Sequence, residues 1–349
     1  MKETKRIETL DAFRGFAALS VVLFHYTTFF NKSFPHLYHT GVGFFMGYLG
    51  VHLFFIISGF VIFMTLENVK SSKEFVIKRF FRLFPTYWLC VCLTSIFLLA
   101  VHIFICLPPN IFSFRMSDIL LNFTMIQGII NLFYTAHNID GSYWSLLPEL
   151  LFYIMMVVLY KFKLLSHIKI IGVIWIIVSL ICILLHYEYF GISLFLNYQF
   201  SPLFFSGIMF YILWKNEKER KKFINHIIIC LCLFTYFYLL FLGKSDFYLK
   251  CILITLFYGL FYLFVYGKLT LNYNALLFLG KISYPLYLLH QTIGFIILYY
   301  LNIEFGFSSI FAIIIPMVLT GFLAYMITKY FENILIKKIR NNILTKVIK

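Results

Sequence analysis

The sequence predicts an all-α polytopic membrane protein of about ten transmembrane helices, with the N- and C-termini cytoplasmic. Three observations carry this reading. Of 349 residues, 62% are apolar and only 12% are charged, whereas a soluble domain carries about 25% charged residues. Apolar runs of 18 residues or more recur along the whole length, which is the span an α-helix needs to cross a bilayer. The basic residues that give the net charge of +15 fall between those runs in a strongly one-sided way. Soluble enzymes, disordered tails and nucleic-acid binders are thereby set aside.

The expected spans cover residues 10–30, 44–66, 84–106, 144–160, 168–187, 196–214, 226–242, 248–267, 282–300 and 308–331. With the N-terminus inside, 24 Lys and Arg fall on the cytoplasmic side and four (Lys32, Arg115, Lys244 and Lys250) outside, while Arg14 lies within the first span. That asymmetry is a strong positive-inside signal with both termini in the cytoplasm, so most of the excess charge is topogenic and meets anionic headgroups; a bacterial inner or plasma membrane is the expected location.

The whole chain reads as a single transmembrane domain, residues 1–349, with no appended soluble domain. Residues 70–84 interleave Lys73, Lys78, Arg79 and Arg82 with Phe75, Phe80, Phe81 and Phe84, as expected of a cytoplasmic amphipathic segment. Residues 107–143 form the longest outer loop, and their apolar stretch from Ile119 to Phe133 is expected to be interfacial or re-entrant over an outward-facing site. The N-terminus is not expected to be a cleaved signal, because the apolar run after it is long and contains Arg14. The seven cysteines at 90, 92, 106, 182, 230, 232 and 251 are scattered through apolar runs and read as packing residues. His36 and His39 share an outer loop without nearby carboxylates, so no metal site is expected.

Ionisable groups inside spans are expensive and mark functional sites. The first span holds Asp11, Arg14 and His25. Eleven residues of ideal helix bring Arg14 and His25 to within about 20° of one face and separate them by roughly 16 Å. Asp11, one turn before Arg14, can hold its guanidinium. Rise per residue also places His25, His52 and Glu149 at one depth near the outer face. Two imidazoles beside a carboxylate suit general-base catalysis. His290 falls nearer the midplane, and Ser58 lies deep in the second span.

These residues sit in a recognisable order. Arg14-Gly15-Phe16 leads to His25, with Leu10-Asp11 ahead of it. Gly50-Val51-His52-Leu53-Phe54-Phe55 runs on to Ser58-Gly59-Phe60, and Lys78-Arg79-Phe80-Phe81-Arg82 runs on to Pro85-Thr86-Tyr87-Trp88. Asp140-Gly141-Ser142-Tyr143-Trp144-Ser145-Leu146 precedes Glu149 and Phe152-Tyr153. Phe204-Phe205-Ser206-Gly207 and Ser283-Tyr284-Pro285-Leu286-Tyr287-Leu288-Leu289-His290 follow. As a set, extending over residues 10–290, they resemble the integral membrane acyltransferase 3 family, whose members O-acylate cell-surface sugars. One position departs: His52 stands where many relatives carry Asp, so Glu149 is expected to take the orienting role.

The resemblance implies a membrane O-acyltransferase, in the first instance an O-acetyltransferase. It would draw on cytoplasmic acyl-CoA, taken as acetyl-CoA, with no tightly bound cofactor, and use a surface or lipid-linked glycan hydroxyl as acceptor. His25 would be the general base, with Glu149 and His52 in the catalytic set. Arg14, Lys78, Arg79 and Arg82 would meet CoA phosphates, for which guanidinium forks are suited. Asp11, Ser58, Tyr143, Trp144, Ser145, Ser283, Tyr284 and His290 support the site, and Trp144, Tyr143 and Ser58 are the candidate oxyanion donors. Direct transfer and an acyl-His or acyl-Ser intermediate both remain open. Without an appended esterase-like domain, transfer is expected to finish in the membrane domain or on a partner. The competing class is a polytopic transporter of a small solute or glycan precursor, which would favour internal repeats and paired broken helices; neither is visible. A third reading, a nonenzymatic scaffold, leaves the aligned Arg14 and His25 without a purpose.

Overall fold

A computed structural model describes residues 7–34, 37, 43–104, 115–185, 196–243, 245–306 and 311–348. His36, His39, Cys106 and Lys244, named above, lie outside the described residues, as do Lys2, Lys5 and Arg6. The described residues are mainly helical, with no strand among them. The principal helices are α1 (Glu8–Leu23, continued by a π-helical turn Phe24–Phe29 and Phe30–Ser33), α2 (Gly50–Glu67), α3 (Ser72–Phe104), α4 (Met116–Asn122), α5 (Gln127–Ile130), α6 (Leu146–Lys161), α7 (Ile168–Leu184), α8 (Ser201–Lys215), α9 (Phe223–Leu242), α10 (Phe247–Val265), α11 (Asn274–Phe305) and α12 (Phe311–Met326, continued by a π-helical stretch Ile327–Ile336 and by Lys337–Ile348).

Among the described residues nine helices are long and apolar enough to cross a membrane, and the protein is a multi-pass membrane protein. The expected span 196–214 differs: α8 has 15 residues, about 22 Å of helix against a hydrocarbon core of about 30 Å. Its side chains are buried almost without exception, so its apolar composition reflects enclosure by protein rather than contact with lipid. The basic run at 72–84 and the third expected span are likewise one helix of 33 residues, with Pro85 inside it.

The chain divides into two compact units. The first comprises residues 1–17, 49–75 and 148–277, and the second residues 18–48, 76–147 and 278–349. In the first unit α2 and α8 pack backbone to backbone through Gly59 and Gly207. A Cβ on Gly59 would lie 2.0 Å from the carbonyl oxygen of Phe204, and one on Gly207 would lie 2.1 Å from that of Ile56. Such small-residue contacts are how helices approach closely where lipid supplies no hydrophobic drive. Aromatic rings close around the seam: Phe152 stacks on Phe204 with centroids 4.4 Å apart, and Phe60 meets Tyr211 edge-on at 5.3 Å.

The second unit holds α4, α5 and the turn Gly141–Ser145 against α3 through buried polar groups. The Tyr87 hydroxyl donates to the Asn122 carbonyl at 2.7 Å, and Gln127 Nε2 donates to both Tyr87 Oη (2.9 Å) and Asn122 Oδ1 (3.0 Å). Asn122 Nδ2 in turn donates to the carbonyls of Asp118 and His137. Arg115 grips Asp118 with Nε and Nη2, each at 3.1 Å. Burial raises the Asp118 carboxyl, but the Arg115 fork and the backbone N–H groups of His137 and Arg115 outweigh it and hold it below its ordinary value. The stretch that begins at Ile119 is therefore two short helices pinned to α3 by buried hydrogen bonds.

Gly59→Ala should destabilise the protein by about 1–3 kcal/mol, because neither backbone can yield to the added methyl. Gly259→Ala, with open space around its Cβ, should be neutral or slightly stabilising. Unfolding temperatures in detergent check the pair; an unchanged Gly59→Ala protein would mean that the α2–α8 seam is looser than described.

Candidate active site

The strongest convergence of polar groups lies in the second unit, where the π-helical turn after α1 meets the middle of α11. Thr27 Oγ1 donates to the Leu23 carbonyl at 2.6 Å and accepts from the Phe44 N–H at 3.0 Å. Local π turns of this kind concentrate at functional sites. Within it, partly exposed His25 faces fully buried His290. The ring centroids are 4.9 Å apart and nearly perpendicular, and His25 Nδ1 is 3.1 Å from His290 Nε2.

The surrounding carbonyls assign the protons. His290 Nδ1 lies 2.8 Å from the Tyr287 carbonyl, and His25 Nδ1 lies 2.9 Å from that of Val21. A carbonyl only accepts, so both Nδ1 atoms carry hydrogen in the neutral rings. His290 Nε2 is then left with a lone pair, which shares the His25 Nδ1–H with the Val21 carbonyl. In that tautomer His25 Nε2 holds its own lone pair, the state a general base requires.

The backbone around His290 is held from several sides. Tyr26 Oη donates to the His290 carbonyl at 2.7 Å. It reaches that point because position 294 is glycine, where a Cβ would sit 2.1 Å from the Tyr26 hydroxyl oxygen. Fully buried Asp140 accepts from the Thr292 N–H (2.8 Å) through Oδ2 and from the Ser142 N–H (2.9 Å) through Oδ1. The Ser142 hydroxyl lies between Asp140 Oδ1 (2.5 Å) and the Tyr287 carbonyl (2.9 Å). Burial pushes the Asp140 carboxyl above its usual range, against the pull of the Ser142 and Thr292 donors. Ser145 Oγ pairs with Tyr287 Oη at 2.8 Å. Tyr143 is buried edge-on against Tyr87, whereas Trp144 is exposed.

The family profile described as an acyltransferase domain matches residues 7–327, a stretch that contains every one of these groups. The chain belongs to this acyltransferase family. Among its curated relatives is an O-acetyltransferase OatA of Staphylococcus aureus (strain NCTC 8325 / PS 47), 24% identical over 401 aligned residues that cover 97% of this chain and 60% of the relative. A putative acetyltransferase of Acidianus two-tailed virus is 25% identical, covering 79% of this chain and 80% of its own length. A peptidoglycan O-acetyltransferase OatA of Listeria monocytogenes is 25% identical over 44% of this chain and 25% of its own. The chain thus spans about 60% of the length of the S. aureus relatives it matches. No solved structure matches.

Within this acyltransferase chain the other expected site residues are distributed over both units. In the first unit Arg14 Nη1 pairs with Asp11 at 3.1 Å, as the one-turn spacing suggested. Glu149 accepts from Ser58 Oγ at 2.9 Å and from the Tyr153 hydroxyl, and His52 packs edge-on to Phe200 and Tyr236. In the second unit Lys78, Arg79 and Arg82 lie on α3, and Arg82 sits 5.3 Å over the Tyr284 ring. Tyr284 Oη donates to the Leu83 carbonyl, and Ser283 Oγ to the Gly280 carbonyl. Among the described residues no His, Cys, Asp and Glu group could hold a metal ion. Sequence reasoning did not single out Asp140, Tyr26, Thr292 or Gly294; the Asp-x-Ser turn before Tyr143 is the one local signal that pointed to the first.

Asp140→Ala leaves the buried Ser142 N–H without its acceptor, at about 1–3 kcal/mol, and releases the part-buried Thr292 N–H as well. The unfolding temperature of the detergent-purified variant should fall by several degrees. An unchanged value would remove Asp140 as the tie between the Gly141–Ser145 turn and α11.

Proposed function

We propose that the protein is a membrane O-acetyltransferase that moves an acetyl group from acetyl-CoA to a hydroxyl of a cell-surface or lipid-linked glycan. The observation that carries the reading is the His25–His290 pair, whose hydrogen bonds leave His25 Nε2 as a proton acceptor on the partly exposed ring. The names of the Staphylococcus and Listeria relatives support the acetyl group and the glycan hydroxyl. The positive-inside pattern supports cytoplasmic termini, with Lys78, Arg79 and Arg82 on the donor side and Arg14 as a further contact for donor phosphate.

In the proposed step, the acceptor hydroxyl gives its proton to His25 Nε2 as its oxygen bonds to the thioester carbonyl carbon. The carbon–sulfur bond then breaks, and the proton passes from His25 to the departing thiolate, so that ester and CoA thiol leave. His290 fixes the His25 tautomer through Nδ1 and shares the positive charge that forms on it. Glu149, held by Ser58 and Tyr153, and His52 complete the proposed catalytic set without a step assigned to either.

The test is thioester consumption. Protein in detergent, given acetyl-CoA and a peptidoglycan oligosaccharide, should release CoA and leave an acetyl ester on the glycan. His25→Ala should lose about 10²- to 10⁴-fold in turnover. His290→Ala, which frees the His25 ring to rotate, should lose about 10²-fold. Solute movement without thioester cleavage would favour a transporter, and near wild-type turnover by folded His25→Ala would remove His25 as the base.

A further inference from the structure

The second π-helical stretch, Ile327–Ile336, carries Glu332, beyond the residues matched to the family. A carboxylate on a membrane-spanning helix is expensive and needs partners. Thr86 Oγ1 donates to Glu332 Oε1 at 2.8 Å, and Arg82 Nη1 stands 3.8 Å from the same oxygen. The carboxylate is 14% exposed and the guanidinium 41%, so the acid sits inside and the cation reaches outward. At 3.8 Å the contact is an ion pair rather than a hydrogen bond. The Tyr284 ring, tied by its hydroxyl to the Leu83 carbonyl, supports the guanidinium from the side.

We propose that Glu332 is an internal competitor for Arg82, a specificity-determining carboxylate that a donor phosphate displaces on binding and that helps expel CoA after transfer. The inference rests on the acyl-CoA reading above. A phosphate offers Arg82 a bidentate, more highly charged partner than one distant carboxylate oxygen. Glu332 remains anchored by Thr86 while the phosphate is bound, so it continues to repel the anion. It thereby lowers affinity for donor and product alike and keeps Arg82 satisfied when the site is empty. Donors that carry no phosphate are indifferent to it.

Equilibrium binding of CoA to the full chain in detergent tests this. Glu332→Gln should tighten CoA binding by about three- to tenfold, with Glu332→Asp falling between it and wild type and serving as the readout if the Gln variant does not fold. In an Arg82→Gln background the gain from Glu332→Gln should shrink to what direct repulsion of the phosphate contributes, and an undiminished gain would overturn the competition for Arg82. Turnover of S-acetyl-N-acetylcysteamine, a thioester without phosphate, should not respond to Glu332→Gln. Unchanged or weaker CoA binding by the folded variants overturns the competitor role alone. A wild-type protein that binds no CoA overturns the donor reading, and the competitor role with it.

Discussion

The arrangement depends on the contact between two imidazoles inside a helical membrane protein. In such surroundings every polar hydrogen needs an acceptor, and a carbonyl beside a ring nitrogen calls for hydrogen on that nitrogen. The Tyr287 carbonyl settles His290, His290 and the Val21 carbonyl settle His25, and what remains is a lone pair on His25 Nε2. Tyr26, Asp140 and Ser142 bind the backbone of α11 on either side of His290. The His25 ring is thus positioned by the His290 ring and by main-chain carbonyls that these side chains hold in place.

Irregular helix geometry makes this possible. An uninterrupted α-helix spends its carbonyls on its own N–H groups. Here π-helical stretches carry His25 and Glu332, and prolines interrupt α3, α11 and α12 at positions 85, 285 and 316. Each missing or displaced backbone bond opens a helix locally to outside partners. Glycines at 59, 207 and 294 do the complementary work of letting neighbours come close.

The sequence made the membrane class and most helices legible, because hydropathy reports directly what lipid tolerates. About ten spans were expected and nine described helices are long and apolar enough to cross; α8 is as apolar as a lipid-facing helix but is enclosed by protein, and composition cannot separate the two environments. Arg14, Asp11 and His25 were visible because they share one helix, and the expected Asp11–Arg14 pair is present. His290 was visible as a residue but not as the partner of His25, since 265 positions separate them. Rise per residue orders side chains by depth and does not say which way they point around the helix. Depth grouped His52 and Glu149 with His25, whereas the contacts described are with Phe200 and Tyr236 for His52 and with Ser58 and Tyr153 for Glu149. Asp140 was read as part of a motif but given no role, because one of its partners is the backbone N–H of Thr292, 152 positions away.

The most direct test of the account is the protonation site of the two rings. Nitrogen-15 magnetic resonance of histidine-labelled protein in lipid, with His25→Asn and His290→Asn used to assign the signals, reports which ring nitrogen carries hydrogen. The account predicts that both rings are neutral with the proton on Nδ1 and that a hydrogen-bond coupling links His25 Nδ1 to His290 Nε2. A His25 ring protonated at Nε2 in the resting protein would contradict it, because the nitrogen assigned to take the acceptor's proton would already be occupied.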